Sequence, residues 1–342
     1  MRRDCRSARR DRARLRRGPR SLLPVIKRAK VAVVGVGNNI SALVQGIALY
    51  RSTGSLAGIR RPVLDGLGVG DIEVVAAFAT SPCKIGKDLA EAILLPPNNF
   101  PRLVDELPPT GAIVRRGLTD ATEADRVAGE FDGAEVVLYA APSGRQETAH
   151  AYAEAALRAG AAFINTTSDA VARDWRWLDR FAAAGLPLLG DDLASQFGTS
   201  VVHHALLQLV EERGLTLISS YQVNLGGTED FRNLAENSNT KLQSKLNALA
   251  AGRPAADRVE MAPIGYLPHL KSHKVAHINV EAQAWGETRV SLDVKLKVHD
   301  PSGAAGVTID LIRMAAHALR QRRAGYLAEA TPLLKSPPGT PT

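Results

Sequence analysis

The most constraining feature of the sequence is a short apolar run that ends in two closely spaced glycines and continues into a helical pattern. Residues 30–34 read KVAVV, Gly35 and Gly37 follow, and residues 40–50 repeat apolar side chains on one helical face. This order lets a backbone approach a pyrophosphate at a helix N-terminus. The third glycine of the G-x-G-x-x-G pattern is replaced by Ile40. A ligand-free tight turn is the alternative to a cofactor-binding turn, whose candidate residues are Gly35, Val36, Gly37, Asn38 and Asn39, with both Asn amides bonding the cofactor.

Apolar runs and helical stretches alternate through the first 200 residues. Alternating strands and helices predict a parallel sheet that is covered on both faces. The expected fold class is therefore α/β, with a Rossmann-like parallel sheet. Further strands are expected at 72–78, 134–142, 161–165 and 186–190, and helices at 84–94, 144–159 and 174–184.

The ends of the predicted strands supply further cofactor candidates. The second strand ends at Ala79, where an NAD-binding sheet usually has an acid for the ribose hydroxyls. This absence leaves the choice between NAD and NADP open, since Thr80, Ser81 and Lys84 offer groups for a 2′-phosphate. Thr80, at the end of the second strand, is therefore a cofactor-binding candidate. The next strand ends in small residues and proline, which adds Ala141 and Pro142 as candidates.

A polar, glycine-flanked segment, LLGDDLASQFGTS, follows the strand near residue 188. In open α/β sheets ligands bind beyond the carboxyl ends of the strands. Asp191, Asp192 and Ser195 are therefore predicted to bind the cofactor. The alternative is that Asp192 or Ser195 only caps the helix that follows.

The pattern changes near residue 215. Long strands are expected at 215–227, 274–284 and 287–299, with Val290 to Val298 alternating as in a half-exposed antiparallel strand, and a helix returns at 304–322. We therefore expect a mostly antiparallel, inserted α+β domain in this part of the chain. The predicted division is a disordered basic tail at 1–26, a dinucleotide-binding domain at 27–200, an inserted domain at 201–299, and a segment at 300–342 that returns to the first domain.

The lysines are distributed unevenly. The chain has 11 lysines, with none between Lys87 and Lys241 and six from Lys241 to Lys297. A lysine transfers protons near pH 7 when burial or neighbouring cations lower its pKa, whereas an arginine does not. A lysine cluster also binds phosphate and stabilises enolates. An ordinary solvated face is the alternative.

The net charge and the remaining composition exclude several classes. Residues 1–20 hold ten Arg and two Asp, which account for the whole net charge of +8. This block is expected to be a solvated extension, so no nucleic-acid partner is expected. No membrane span, disulfide framework or metal site is expected, and the expected location is the cytoplasm.

Seven segments together resemble the inositol-3-phosphate synthase family, also called myo-inositol-1-phosphate synthases, of the bacterial and archaeal type. They stand in family order over roughly residues 30–340. The segments are VGVGNNISALVQGI, GDDLASQFGTS, YQVNLGGTEDF, NTKLQSK, KVAHINVEAQAWG, DPSGAAGVTIDLIR and LLKSPPGTP.

The resemblance implies a catalytic set and a reaction. It places Lys241, Lys245, Lys274, Lys335 and Asp300 in the active site, and Asp230 near the substrate or cofactor. It further implies an NAD-dependent cyclisation of D-glucose 6-phosphate to 1D-myo-inositol 3-phosphate in a homotetramer, with residues 201–299 as the catalytic and oligomerisation domain. The implied steps are oxidation at C5, enolisation, an intramolecular aldol step and reduction, without net redox change.

The sequence departs from the family pattern at two places. Family members usually carry an acid where Ala79 stands, and an Asp shortly before the lysine that matches Lys274, where this chain has Ser272 and His273. These differences are compatible with a related carbocyclase that uses another sugar phosphate, such as fructose 6-phosphate. An NAD(P)-dependent dehydrogenase and a non-catalytic nucleotide sensor are the remaining alternatives.

Overall fold

The structure is a computed structural model that describes residues 28–118, 121–236, 239–250, 256–262 and 264–341. The expected disordered tail at 1–26 lies outside these residues. The side chain of Lys241 also lies outside the described part, although its backbone belongs to a helix.

The strands and helices alternate in the first half of the chain and form long strands in the second. The strands are β1 (Ala29–Val34), β2 (Val63–Leu64), β3 (Leu67–Gly68), β4 (Ile72–Ala79), β5 (Val114–Arg116), β6 (Val136–Tyr139), β7 (Ala162–Asn165), β8 (Leu188–Leu189), β9 (Thr216–Gly226), β10 (Val259–Met261), β11 (Gly265–Tyr266), β12 (His273–Gln283) and β13 (Arg289–His299). The helices are α1 (Asn38–Thr53), α2 (Leu89–Ala92), α3 (Ala124–Gly129), α4 (Gln146–Ala159), α5 (Trp175–Ala183), α6 (Thr199–Glu212), α7 (Glu229–Glu236), α8 (Asn239–Ala250) and α9 (Asp300–Arg320).

The first sheet is parallel and has the strand order β5-β4-β1-β6-β7-β8. β1 lies between β4 and β6, so the strand order reverses beside it. This is the Rossmann-like arrangement, which confirms the predicted α/β class. The central strands are apolar on both sides because both faces of the sheet are covered.

Helices cover both faces of this sheet. One face packs against α1 and α9, and the other packs against α3, α4 and α5. Leu311 and Ile312 of α9 are fully buried in the first of these cores. Burial of each such side chain stabilises the fold by about 1.5–3 kcal/mol. The helix after residue 299 therefore packs on the first sheet.

The second sheet has the order β10-β9-β12-β13, and β11 also pairs with β9. β12 is antiparallel to both β9 and β13. One face of β12 is buried, including Ala276 and Ile278, and α6 packs against this sheet. In β13 the predicted alternation is confirmed only in the second half of the strand, where Val294 and Leu296 are half-buried and Lys295 is exposed. Val290 and Leu292 are exposed, like their polar neighbours.

The prediction of a helix at 84–94 is wrong for its first half. Gly86 has φ +83°, and its N–H donates to the Val114 carbonyl, while the Val114 N–H donates to Lys87. The chain runs beside the 112–114 segment here, and the helix begins only after Asp88, whose side chain caps it through the Ala90 N–H at 2.8 Å. A helical pattern alone does not reveal this pairing.

The predicted domain boundaries stay a prediction, although the two sheets use separate parts of the chain. The first sheet lies within residues 29–189 and the second within 216–299. In the described part of the chain, no helix has the length and apolar character needed to span a membrane.

Candidate active site

A cavity of about 560 Å³ lies between the first sheet and the elements of the second. It opens at the carboxyl ends of β1, β4 and β6, where the strand order reverses and where ligands bind in open α/β sheets. Of the predicted site residues whose side chains the structure describes, all line it except Asp191. The lining residues among the predicted ones are Gly35, Val36, Gly37, Asn38, Asn39, Thr80, Ala141, Pro142, Asp192, Ser195, Asp230, Lys245, Lys274, Asp300 and Lys335.

Two walls face each other across this cavity. We call residues 35–39, Thr80, Ala141 and Pro142 the turn wall, because the β1–α1 turn forms its centre. We call Lys245, Lys274, Asp300, Lys335 and Asp192 the lysine wall.

The two glycines of the turn wall serve different purposes. Gly35 has φ +92°, and a Cβ on it would lie 2.5 Å from the Ala140 carbonyl oxygen, so only glycine fits. A Cβ on Gly37 would meet no protein atom within 4 Å. Gly37 therefore leaves open space in the cavity lining, as close approach of a ligand to the backbone requires.

The N-terminus of α1 is available to an anion. Gly37 is its N-cap, no side chain caps it, and its first turn contains no acidic residue. The first N–H groups of a helix have no partner within the helix, and the helix dipole favours negative charge there. These features fit a dinucleotide pyrophosphate.

The side chain of Asn38 is occupied by a neighbouring loop, which differs from the expectation that it bonds the cofactor. Its Nδ2 donates to Asn99 Oδ1 at 2.8 Å, and its Oδ1 accepts from the N–H groups of Asn99 and Phe100 at 2.9 and 3.1 Å. Asn99 Nδ2 in turn donates to the Gly227 carbonyl at 3.0 Å. This amide therefore connects the turn wall to the chain that follows β9.

Lys84 reaches the same turn from the segment after β4. It is 3% exposed, and its Nζ donates to the Val36 carbonyl at 2.6 Å and to Asn98 Oδ1 at 2.8 Å. Burial lowers the pKa of this ammonium group. Lys84 also lines the cavity.

The lysine wall consists of two ion pairs and a buried lysine. Lys274 Nζ lies 3.1 Å from Asp300 Oδ1, and Lys335 Nζ lies 3.0 Å from Asp192 Oδ1. Lys245 is 3% exposed on α8. The wall therefore presents ammonium groups beside carboxylates, an arrangement that can hold a phosphate and exchange protons with oxygen.

Asp192 also fastens α8 over the cavity. Its Oδ2 accepts from Ser244 Oγ at 2.7 Å, and Ser244 Oγ accepts from Ser336 Oγ at 3.0 Å. Asn247 Nδ2 donates to Ser336 Oγ at 3.3 Å. One carboxylate thus links the helix that carries Lys245 to the segment that carries Lys335.

Asp191 does not line the cavity, although the sequence predicts that it binds the cofactor. Its carboxylate is fully buried and accepts from Asn165 Nδ2 and from the backbone N–H groups of residues 171–173. Arg173 lies 3.6 Å away. Burial raises the pKa of Asp191 to about 6, while Arg173 and these donors oppose the shift. Asp191 instead holds the loops that follow β7 and β8 together.

The sequence reasoning missed several cavity residues. Thr166 and Thr167 line the cavity after β7, where the same strand-end argument would have found them. Asn98 and Asn233 also line it, and Asn233 Nδ2 donates to the Ser143 carbonyl at 2.9 Å. No sequence pattern marks these two side chains, because long-range packing brings them in.

The position before Lys274 carries no carboxylate. Ser272 Oγ lies 3.1 Å from His299 Nδ1, and the His273 and His299 ring centroids are 3.9 Å apart. Burial, followed by the charges of His273 and Lys297, lowers the pKa of His299. A serine and two imidazoles therefore lie beside the Lys274–Asp300 pair.

The strand order, the glycine turn and the lysine wall together define a Rossmann-like α/β protein with a dinucleotide-type turn facing a cluster of lysines. Among the residues that the structure describes, no cluster of three or more His, Cys, Asp or Glu side chains is placed to hold a metal ion.

Comparisons with known proteins assign the family. The profile of the family described as Myo-inositol-1-phosphate synthase matches residues 198–301. Inositol-3-phosphate synthase of Mycolicibacterium smegmatis is 36% identical over 340 residues, which covers 90% of this chain and 93% of that protein. The corresponding protein of Corynebacterium glutamicum is 34% identical over 90% of this chain and 93% of its own length. The chain belongs to the myo-inositol-1-phosphate synthase family, and it is an enzyme of that family.

Two solved structures have a similar fold. The crystal structure of Ari2 superposes with a TM-score of 0.81 at 51% identity, covering 92% of this chain and 93% of that one. A myo-inositol-1-phosphate synthase-related protein from Thermotoga maritima has a TM-score of 0.76 at 22% identity, covering 91% and 93% of the two chains, and this likeness concerns the fold alone.

Proposed function

We propose that this enzyme cyclises a sugar phosphate without net redox change, with D-glucose 6-phosphate as substrate and 1D-myo-inositol 3-phosphate as product. One observation carries the proposal: two lysine–carboxylate pairs and the buried Lys245 face a dinucleotide-type turn across a single cavity. The relatives named inositol-3-phosphate synthase support the substrate.

The cofactor of the proposal is NAD, and the residues present fit it. The uncapped N-terminus of α1 and the open space beside Gly37 suit a pyrophosphate, and Thr80 at the end of β4 suits a ribose hydroxyl. Bound NAD would accept a hydride from the substrate and later return it. Position 79 is an alanine and not the acid that usually binds the ribose hydroxyls of NAD, so the turn wall is compatible with NADP as well.

The lysine wall would handle the protons and the negative charge. Lys335 is proposed to exchange a proton with the C5 oxygen, with Asp192 holding the ammonium in place at 3.0 Å. Lys241 is assigned to the same oxygen by family resemblance. Lys245 and Lys274 are proposed to hold the phosphate and the charge of the enolate, with Asp300 orienting Lys274. The preformed pairs would stabilise this charge without reorganisation during the reaction.

A homotetramer in the cytoplasm completes the proposal. The second sheet has an outer face on which Tyr221 and Lys295 are exposed, and it would supply the contact between subunits. Light scattering of the purified protein measures the number of subunits, and a monomer would contradict the proposed tetramer.

A second candidate is the cyclisation of another sugar phosphate, fructose 6-phosphate first. One observation favours it. Ser272 and His273 stand where the family usually has an Asp. A changed neighbour of Lys274 would alter which substrate oxygen is held beside it.

The test is incubation of the purified protein with NAD and each sugar phosphate in turn, with the products observed by phosphorus and carbon NMR. We expect a cyclic phosphate from glucose 6-phosphate without accumulation of NADH. A cyclic product from fructose 6-phosphate alone would establish the second candidate. Steady NADH production would instead indicate a dehydrogenase and contradict both.

A further inference from the structure

Lys84 is a buried cation whose charge the mechanism above does not use. It is 3% exposed, and its hydrogen-bond partners, the Val36 carbonyl and Asn98 Oδ1, are both neutral oxygens. Burial lowers the pKa of the ammonium group, and the neighbouring Cys83 opposes this shift. Among the described residues, no carboxylate forms an ion pair with Lys84.

A buried charge that is paired only with neutral groups is costly. An ammonium group has three N–H donors, and two of them are used here. Lys84 also lines the cavity together with Gly37, Thr80 and Ser81. The third donor and the uncompensated charge are therefore available to an anion in the cavity.

Two independent features of the cavity near Lys84 favour the binding of an anion. The N-terminus of α1 has no side-chain cap and no acid in its first turn, and Gly37 leaves open space beside it. The end of β4 has Ala79 in place of an acid, so no carboxylate there repels a phosphate. Lys84 and the α1 terminus reach this space from two different segments.

We propose that Lys84 is the cation that pairs with a phosphate group of the bound dinucleotide, in addition to fastening the β1–α1 turn through Val36. This inference rests on the proposed use of a nicotinamide dinucleotide. The phosphate is either the pyrophosphate, which NAD and NADP share, or the 2′-phosphate, which only NADP carries.

The experiment is isothermal titration of the full-length protein with NAD, NADP and adenosine. The variants are Lys84→Met, which removes the charge, and Lys84→Gln, which removes the charge but keeps an N–H donor for Val36. The matched control is Lys87→Met, because Lys87 lies on the same segment, is exposed and pairs with Glu91. Thermal unfolding of each variant confirms that it is folded.

We expect both Lys84 variants to bind phosphate-bearing ligands about 10- to 100-fold more weakly, since hydrogen bonds to charged groups have this strength. Adenosine, which has no phosphate, should bind as in the wild type, and Lys87→Met should bind all three ligands normally. Weaker binding of both dinucleotides would show that Lys84 pairs with the pyrophosphate. Weaker binding of NADP alone would show that it pairs with the 2′-phosphate.

Two results would overturn the inference while leaving the proposed function intact. One is dinucleotide binding within twofold of wild type in both variants. The other is an equal loss for adenosine, which would make Lys84 only a support of the turn. If the wild-type protein bound neither dinucleotide, the proposed function would fail together with the inference.

Discussion

The two walls of the cavity are built on different principles. The turn wall uses the ends of three neighbouring strands in one sheet and presents mainly backbone groups and small side chains. The lysine wall collects charged side chains from the chain after β8, from α8, β12 and α9, and from the chain after α9. Asp192 and Lys335 meet at 3.0 Å across 143 residues of sequence.

This difference indicates separate roles for the two walls in the proposed reaction. Backbone groups held by a rigid sheet suit a cofactor that only needs to be positioned. Paired ammonium and carboxylate groups suit proton transfer, because small changes in their surroundings change their pKa values. We therefore expect substitutions in the turn wall to change binding, and substitutions in the lysine wall to change turnover.

The largest expected effect comes from Lys274→Met. It removes the ammonium that pairs with Asp300, and general acid–base or electrostatic groups contribute roughly 10²–10⁴-fold to rates. We expect kcat to fall by about 10³-fold while NAD binds within threefold of wild type. Lys87→Met, at an exposed lysine outside the cavity lining, is the control and should keep full activity. A parallel loss of NAD binding in Lys274→Met would remove the distinction between the walls.

The next effect separates the two glycines of the turn wall. Gly35→Ala forces a Cβ against the Ala140 carbonyl at a positive φ, so the free energy of unfolding should fall by at least about 2 kcal/mol. Gly37→Ala should keep the unfolding midpoint but weaken NAD binding about tenfold, because its Cβ enters open space in the cavity. Thermal unfolding and titration measure the two quantities. Unchanged NAD binding in Gly37→Ala would mean that the cofactor does not lie against this turn.

Ser244→Ala tests the fastening of α8. The hydroxyl donates to the Asp192 carboxylate at 2.7 Å, and a bond to a charged group is worth roughly tenfold in rate if it positions Lys245. We expect kcat to fall about tenfold with an unchanged KM, and Ser244→Thr to recover part of the loss. Ser52→Ala, at an exposed serine of α1 outside this network, is the control. Equal rates in Ser244→Ala and wild type would show that Asp192 acts without this link.

The smallest expected effect concerns substrate choice. Ser272→Asp restores a carboxylate near Lys274 and His299, and we expect it to change the ratio of kcat/KM for glucose 6-phosphate and fructose 6-phosphate roughly threefold to tenfold. Ser55→Asp, in the exposed segment after α1, should leave the ratio unchanged. A ratio unaffected by Ser272→Asp would remove this position from the specificity argument.

The same contrast explains what the sequence could predict. Gly35 and Gly37 were recognisable because a strand, a turn and a helix are neighbours in sequence. Lys335 and Asp300 followed from family resemblance, since no local pattern places them near Asp192 or Lys274. The sequence treats Asp191 and Asp192 alike, but packing buries Asp191 against Arg173 and directs Asp192 to the cavity. The pairing of Lys87 with Val114 likewise comes from tertiary contacts, which is why the helix at 84–94 was predicted too long.

The most direct test of redox-neutral cyclisation is the fate of the hydrogen at C5. Sugar phosphate that carries deuterium at C5 would be converted in the presence of unlabelled NADH, and the product would be examined by NMR and mass spectrometry. The account predicts full retention of deuterium at that carbon, because the hydride returns from the same bound cofactor. Loss of the label to the NADH pool would contradict it.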